Sequence, residues 1–150
     1  MEKALTVAKT LYSMYKEMFG NSMDEMKMHK LMYFLQRESL LMYNSPLFSE
    51  DFYGWVYGPV LKSVREEYKA FKPYSSPADS LKKEEQYLVE NVLSRYGNLS
   101  SWKLSSLSHN EYSWKKSRQG LALDERGDRK LKLEAMKVDA AREKAERNAK

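Results

Sequence analysis

Met28-His29-Lys30-Leu31-Met32-Tyr33-Phe34-Leu35-Gln36 decides how this chain reads. Its apolar residues return at three- and four-residue steps, which gathers side chains on one face of a helix instead of alternating them across a strand. Continuing the pattern in both directions predicts a helix from Met23 to Tyr43, with Met28, Leu31, Leu35 and Met42 on its inner face and Met32, Phe34 and Leu41 widening the stripe. Ser22 and Glu25 stand at the S-x-x-E spacing of a capping box, in which each side chain satisfies an orphan backbone donor. At the other end Asn44-Ser45-Pro46 stops the helix, because proline lacks the donor and restricts the residue before it.

Upstream, Ala4, Ala8, Leu11, Tyr12, Tyr15, Met18 and Phe19 repeat at the same steps, so a helix is expected from Ala4 to Phe19, ended by Gly20-Asn21. Downstream, Leu47 to Pro59 is too aromatic for a solvated loop and too irregular for a helix. It reads as an ordered connector packed on the helices, and a short strand around Phe52 to Val56 is one form it can take. Pro59 suits the first position of a following helix, where its missing donor costs nothing, with Val60, Leu61, Val64, Tyr68 and Phe71 on the buried side. Lys72 to Asp79, with prolines 73 and 77, reads as a flexible loop. Ser80 can cap a helix reaching Tyr96 and stopped by Gly97, and Ser100 or Ser101 can open a short one through Trp102, Leu104 and Leu107. Another short helix carries Tyr112, Trp114 and Lys115 and ends by Gly120. After a polar linker from Leu121 to Gly127, Asp128 can cap a last helix whose large apolar groups are Leu131, Leu133, Met136 and Val138. Beyond Ala141 there are i,i+4 charges such as Glu143 with Arg147 but nothing large to bury, so that end reads as a solvated helix that frays or waits for a partner.

The sum is an all-α fold, a single compact domain of about six or seven helices with an ordered aromatic connector. Residues 1–120 form the helical domain, and 121–150 the linker and charged C-terminal helix. Composition agrees: Gly 6 and Pro 4 are few breakers in 150 residues, while Tyr 11, Phe 5, Trp 3 and Met 9 are enough for a core without metal or disulfide help. With Cys 0, thiolate zinc sites, disulfides and cysteine nucleophiles are excluded. Met1-Glu2-Lys3-Ala4 offers no apolar signal region and no apolar run is long enough to span a bilayer, so the expected location is cytoplasmic. The net charge of +5 is modest for a chain that is 31% charged, and acids interleave with the bases.

Chemistry-bearing patterns are sparse. No phosphate loop, dinucleotide fingerprint, zinc-protease motif or nucleophile elbow occurs, and no nucleophile, base and anion-binding loop can be assembled. The chain is therefore expected to be non-enzymatic and to need no cofactor or metal. His29 and His109 lack a second histidine at ligand spacing, and Glu50 and Asp51 are adjacent, which points them apart in an extended segment. Lys115, Lys116 and Arg118, with Lys82 and Lys83, make a small basic cluster but no nucleic-acid motif, so nucleic acid is not the expected partner.

Three stretches in order carry a resemblance: Met28 to Gln36; Pro46-Leu47-Phe48 through Trp55-Val56-Tyr57-Gly58-Pro59-Val60; and Asn98-Leu99-Ser100 through Leu107-Ser108-His109 with Trp114-Lys115. Together they resemble the Panacea domain of SocA-like antitoxins, a family that also includes phage-associated proteins, and the resemblance runs from about Leu5 to Arg118. The chain departs from the family pattern at Leu35-Gln36-Arg37-Glu38, and its extension past Gly127 is its own.

The resemblance implies a mostly helical fold and the antitoxin role in a type II toxin–antitoxin pair, neutralising by direct contact a toxin encoded by an adjacent gene. The other role it implies is a proteolytic adaptor that delivers a toxin or host protein to a ClpXP-type protease, or a phage-encoded host-interaction protein. Candidate partner-binding residues are Phe52, Trp55, Tyr57, Gly58, Pro59, Val60, Trp114 and Lys115, since aromatics give large contact area at low entropy cost and Gly-Pro fixes the backbone. The competing reading is that Trp55 and Tyr57 pin the connector onto the core.

Overall fold

The computed structural model describes residues 1–70 and 81–149. Its elements are α1 (Ala4–Phe19), α2 (Glu25–Tyr43), β1 (Phe52–Trp55), β2 (Gly58–Leu61), α3 (Lys62–Lys69), α4 (Lys83–Tyr96), α5 (Ser101–His109), α6 (Tyr112–Ser117) and α7 (Leu133–Asn148). The fold is mostly helical, with one antiparallel two-stranded sheet.

Helix α2 is the axle. Helices α1, α3, α4, α5 and α7 and strand β2 all pack on it, so every residue from Met28 to Leu40 is buried. The sequence stripe therefore understates α2, which is covered all round and buries Lys30, Gln36, Arg37, Glu38 and Ser39 along with its apolar residues. Met42, assigned to the inner face, is half-exposed at 36%. Nor does Ser22 cap the helix. Asp24 Oδ1 accepts the Lys27 N–H at 2.9 Å, because an aspartate directly before the first helical residue needs no detour to reach that donor. Glu25 is left free to turn toward His29 and Arg65.

Helix α1 ends as expected at Gly20, whose φ of 78° supplies the left-handed cap that Cβ-bearing residues disfavour. Its N-terminus is capped from far away, by Glu50 Oε2 accepting the Ala4 N–H at 2.9 Å. Val7 joins the α1 face in the core, while Met18 points out.

The aromatic connector forms a hairpin that pairs Phe52 with Leu61 and Trp55 with Gly58 across the turn Val56-Tyr57. Pro59 is consequently a strand residue opposite Gly54, not the first residue of a helix, and α3 starts at Lys62. Proline is tolerated because β2 is an edge strand, where a missing donor breaks no ladder. The open edge of β1 is closed by the chain returning from α6: Gly54 N–H donates to Arg129 O at 2.8 Å and Leu131 N–H to Phe52 O at 2.9 Å. That pairing keeps residues 129–131 extended, so Asp128 does not cap α7, which begins at Leu133. Gly54 is required by space, since a Cβ there would lie 1.9 Å from Ser117 Oγ of α6.

The expected loop at 72–79, Phe71 and the Ser80 cap lie outside the described residues. Helix α4 starts at Lys83, with Glu85 accepting the Lys82 N–H at 2.9 Å, and Ser100 caps α5 by accepting the Lys103 N–H at 3.1 Å. Gly97 ends α4 in a right-handed conformation, and its lack of a side chain serves packing: a Cβ would stand 2.7 Å from the Phe19 ring.

Beyond Ala141 helix α7 is exposed, as its composition suggests, except at the half-buried Glu143 and Arg147, yet the helix is tied down. Its charges dock it. Asp139, 1% exposed, accepts the Tyr112 N–H at 2.7 Å and the Ser113 N–H at 2.9 Å, which caps α6, and takes the Tyr33 hydroxyl at 3.2 Å. Arg147 grips the buried Glu38 carboxylate with two bonds of 2.7 and 2.9 Å. No helix among the described residues is long and apolar enough to cross a membrane.

Candidate partner-binding site

The β1–β2 hairpin is fastened from beneath at each step. Phe52, 1% exposed, packs edge-on to Tyr33 with ring centroids 5.7 Å apart. The Trp55 carbonyl accepts the Trp114 indole N–H at 2.9 Å, and the Gly54 carbonyl accepts Arg118 Nη1 at 3.0 Å. Arg118 also donates to the carbonyls of Ala122 and Glu125, so it is spent on backbone and adds no free charge to Lys115 and Lys116. Lys30 Nζ reaches the Tyr57 carbonyl at 2.6 Å.

What emerges from this base is the tip. The Tyr57 side chain is 71% exposed. Trp55 is half-buried, its indole N–H donating to Asp128 Oδ1 at 2.9 Å and the Arg65 guanidinium lying 5.9 Å from its ring centroid. Gly58 turns the chain with φ 125°, a conformation that side chains disfavour, and a Cβ there would stand 3.1 Å from Lys30 Nζ.

Two grooves flank the tip, and Trp55 and Tyr57 line both, so the tip is the ridge between them. The first, about 420 Å³, runs between the hairpin and the start of α2; Met26, Pro59 and Val60 add apolar wall, and Asp24, Glu25, His29, Lys30 and Arg65 add both signs of charge. The second, about 390 Å³, lies toward Lys62 and Arg126 to Asp128. Of the sequence candidates, Trp55, Tyr57, Pro59 and Val60 thus share one groove. Phe52 and Trp114 are buried beneath it, Gly58 shapes the turn, and Lys115 is exposed on α6 outside both grooves.

Electrostatics divide the groove wall. His29 Nδ1 accepts the Leu61 N–H at 3.2 Å, which leaves Nε2 as the donor to Glu25 at 2.9 Å; burial lowers the imidazole pKa, with Glu25 pulling the other way. Arg65 Nη1 contacts both Glu25 oxygens at 3.0 Å. Lys30 is 2% exposed, and burial pushes its pKa down to about 8. His109 stacks on Trp114 at 4.3 Å; its pKa is lowered by burial and by the nearby Lys30 charge. Among the described residues no three His, Asp or Glu side chains gather as a metal would require.

Lys30, His29, Arg65 and Asp128 were not among the sequence candidates. A lysine between His29 and Leu31 on a helix ordinarily reads as solvated, and only the burial of α2 all round turns it inward. The one sequence cue was its place inside the Met28–Gln36 stretch, with apolar residues on both sides.

A family model described as antitoxin SocA-like, Panacea domain, matches residues 28–115, more than half of the chain, and the chain belongs to that family. No curated protein and no solved structure matches it. The match begins at the buried core of α2, takes in the hairpin and ends in α6, leaving α1 and α7 outside it.

Proposed function

We propose, from its membership of the SocA-like antitoxin family, that this protein is the antitoxin of a type II toxin–antitoxin pair and neutralises a toxin encoded by an adjacent gene through direct contact at the hairpin ridge. The observation that carries the contact surface is Tyr57: a large aromatic 71% exposed on a turn whose backbone is tied to Lys30 and, through Trp55 and Gly54, to Trp114 and Arg118. An exposed aromatic on an immobilised turn loses little freedom on binding, and that favours it as an interface anchor. Trp55, Pro59 and Val60 supply the adjoining apolar wall. Family membership points to a non-catalytic role.

The test is co-expression with the product of the adjacent gene, scored for growth rescue and for co-purification. Rescue with a stable complex is expected. Tyr57→Ala should weaken that complex at least tenfold with the helical circular dichroism unchanged. Rescue without a complex would move the reading to a proteolytic adaptor for a ClpXP-type protease. A neighbour that is neither toxic nor bound would remove both.

A further inference from the structure

We propose that Lys30 is a counter-ion held in reserve for the partner: the groove between α2 and the hairpin takes an Asp or Glu side chain flanked by apolar residues of the bound protein. The inference rests on that groove being part of the partner-binding surface.

The charges already present leave Lys30 out. Glu25 is occupied by His29 at 2.9 Å and Arg65 at 3.0 Å. Asp24 is engaged in capping α2 and acts on Lys30 only through space. Among the described residues the Lys30 ammonium has one hydrogen bond, to the Tyr57 carbonyl, and no ion pair, although the residue is 98% buried and lines the groove. An ammonium has three donors, so two have no protein partner among the described residues. Beside it lies His109 Nε2, buried on an imidazole that interacts with the Tyr57 backbone, and both nitrogens are close to Gly58, at 3.1 and 4.0 Å from where its Cβ would stand. Polar groups left this way are costly to the free protein, and a partner group that satisfies them recovers that cost on binding.

A carboxylate meets the need. It would make charge-assisted hydrogen bonds to the ammonium, strengthened as Trp55, Pro59 and Val60 exclude water around them. Those apolar walls call for apolar neighbours on the partner segment. A chain-terminal carboxylate fits less well, because such termini are captured by consecutive backbone N–H groups, and the backbone atom turned toward Lys30 is a carbonyl oxygen.

Two arms test this. In the first, affinity for the adjacent-gene product is measured for the parent and for Lys30→Met, with circular dichroism as the folding control; at least a tenfold loss is expected. If Lys30→Met does not fold, Lys30→Gln, which drops the charge and keeps a donor for the Tyr57 carbonyl, carries the same test. In the second, the full chain is screened against capped nonapeptides with one central Asp or Glu among Leu, Phe and Trp, against their Asn and Gln counterparts, and against peptides whose only carboxylate is the free C-terminus. Acidic peptides should bind at least tenfold more tightly than the amides and shift the Lys30 side-chain NMR signals. Equal binding of acids and amides, preference for the free C-terminus, or an unmoved Lys30 signal overturns the proposal. Tight binding of the toxin by Lys30→Met also overturns it while leaving the antitoxin reading intact. Acidic-peptide binding without toxin binding does the reverse.

Discussion

Lys30 and Arg37 lie seven positions apart on α2, which places them two turns apart on nearly the same face, and both are buried, at 2% and 5% exposure. Their surroundings are opposite. Arg37 is enclosed by charge and aromatic surface: it pairs with Glu111, donates to the Tyr96 hydroxyl at 2.7 Å, approaches Glu143 at 3.8 Å and stacks 4.8 Å over Phe34. Lys30 has a single carbonyl among the described residues. A buried cation with partners on all sides fastens elements together, here α2 to α4, α6 and α7. One without a counter-ion weakens the free protein, and a bound carboxylate would relieve that cost. The same helix thus carries its fastening at one end and its open valence at the other, beside the exposed hairpin ridge.

The comparison breaks most visibly on removal of Arg37. Above pH 8, where Glu111 is ionised, Arg37→Met should cost about 3–5 kcal/mol, because that carboxylate and the Tyr96 hydroxyl stay buried without it; urea denaturation measures this, and a loss no larger than that of Lys30→Met would dissolve the distinction. Arg147→Ala should follow at about 2–3 kcal/mol, since it strips both bonds from Glu38, which is 1% exposed. Faster hydrogen exchange should then appear along α7, and an unchanged α7 would mean that its apolar face alone docks it. Lys30→Met should change stability by only about 1 kcal/mol or less near neutral pH, as the lost hydrogen bond is offset by relief of the buried charge.

The finest test is titration, where the two ends of α2 have opposite signs. Lys30 has a folded pKa of about 8, below its ordinary 10.5, so its contribution to stability is complete above pH 10.5 and is lost as pH falls to 8. Burial pushes the Glu111 carboxyl up to about 8, against the pull of Arg37 and with a further push from Asp139. Its contribution is therefore complete below its ordinary 4.5 and is lost as pH rises to 8. Stability profiles of Lys30→Met and Glu111→Gln, each subtracted from the parent, should show slopes of opposite sign in those two windows. Slopes of one sign would mean that the two ends do not differ in this way.

Two stretches far apart in the chain turn out to be joined. Glu38 of α2 is gripped by Arg147 of α7, and Gln36 of α2 ties that helix to the connector through Leu47 and Phe48. Neither tie shows itself in sequence, where Glu143 with Arg147 reads as part of a solvated helix end. A residue 109 positions away supplies the partner.

By itself the sequence determined the helices, the family and the place of the aromatic connector, because apolar period, caps and breakers act within a few residues of one another. The span Ala4–Phe19 with its stop at Gly20 was legible in this way, as was the opening of α5 at Ser100 or Ser101, of which the structure uses Ser100. Pro59, Asp128 and Ser22 misled for the converse reason: each offers a legitimate local cap or start, and a tertiary contact took the position first, a hairpin at Pro59, pairing with β1 after Asp128, and the nearer carboxylate of Asp24 in place of Ser22. Only the tertiary structure decided which charges are buried, since that depends on how many elements surround α2. It also decided that Trp55 and Tyr57 stand on a ridge while Phe52 and Trp114 lie beneath it, because in a hairpin the faces are assigned by what packs behind.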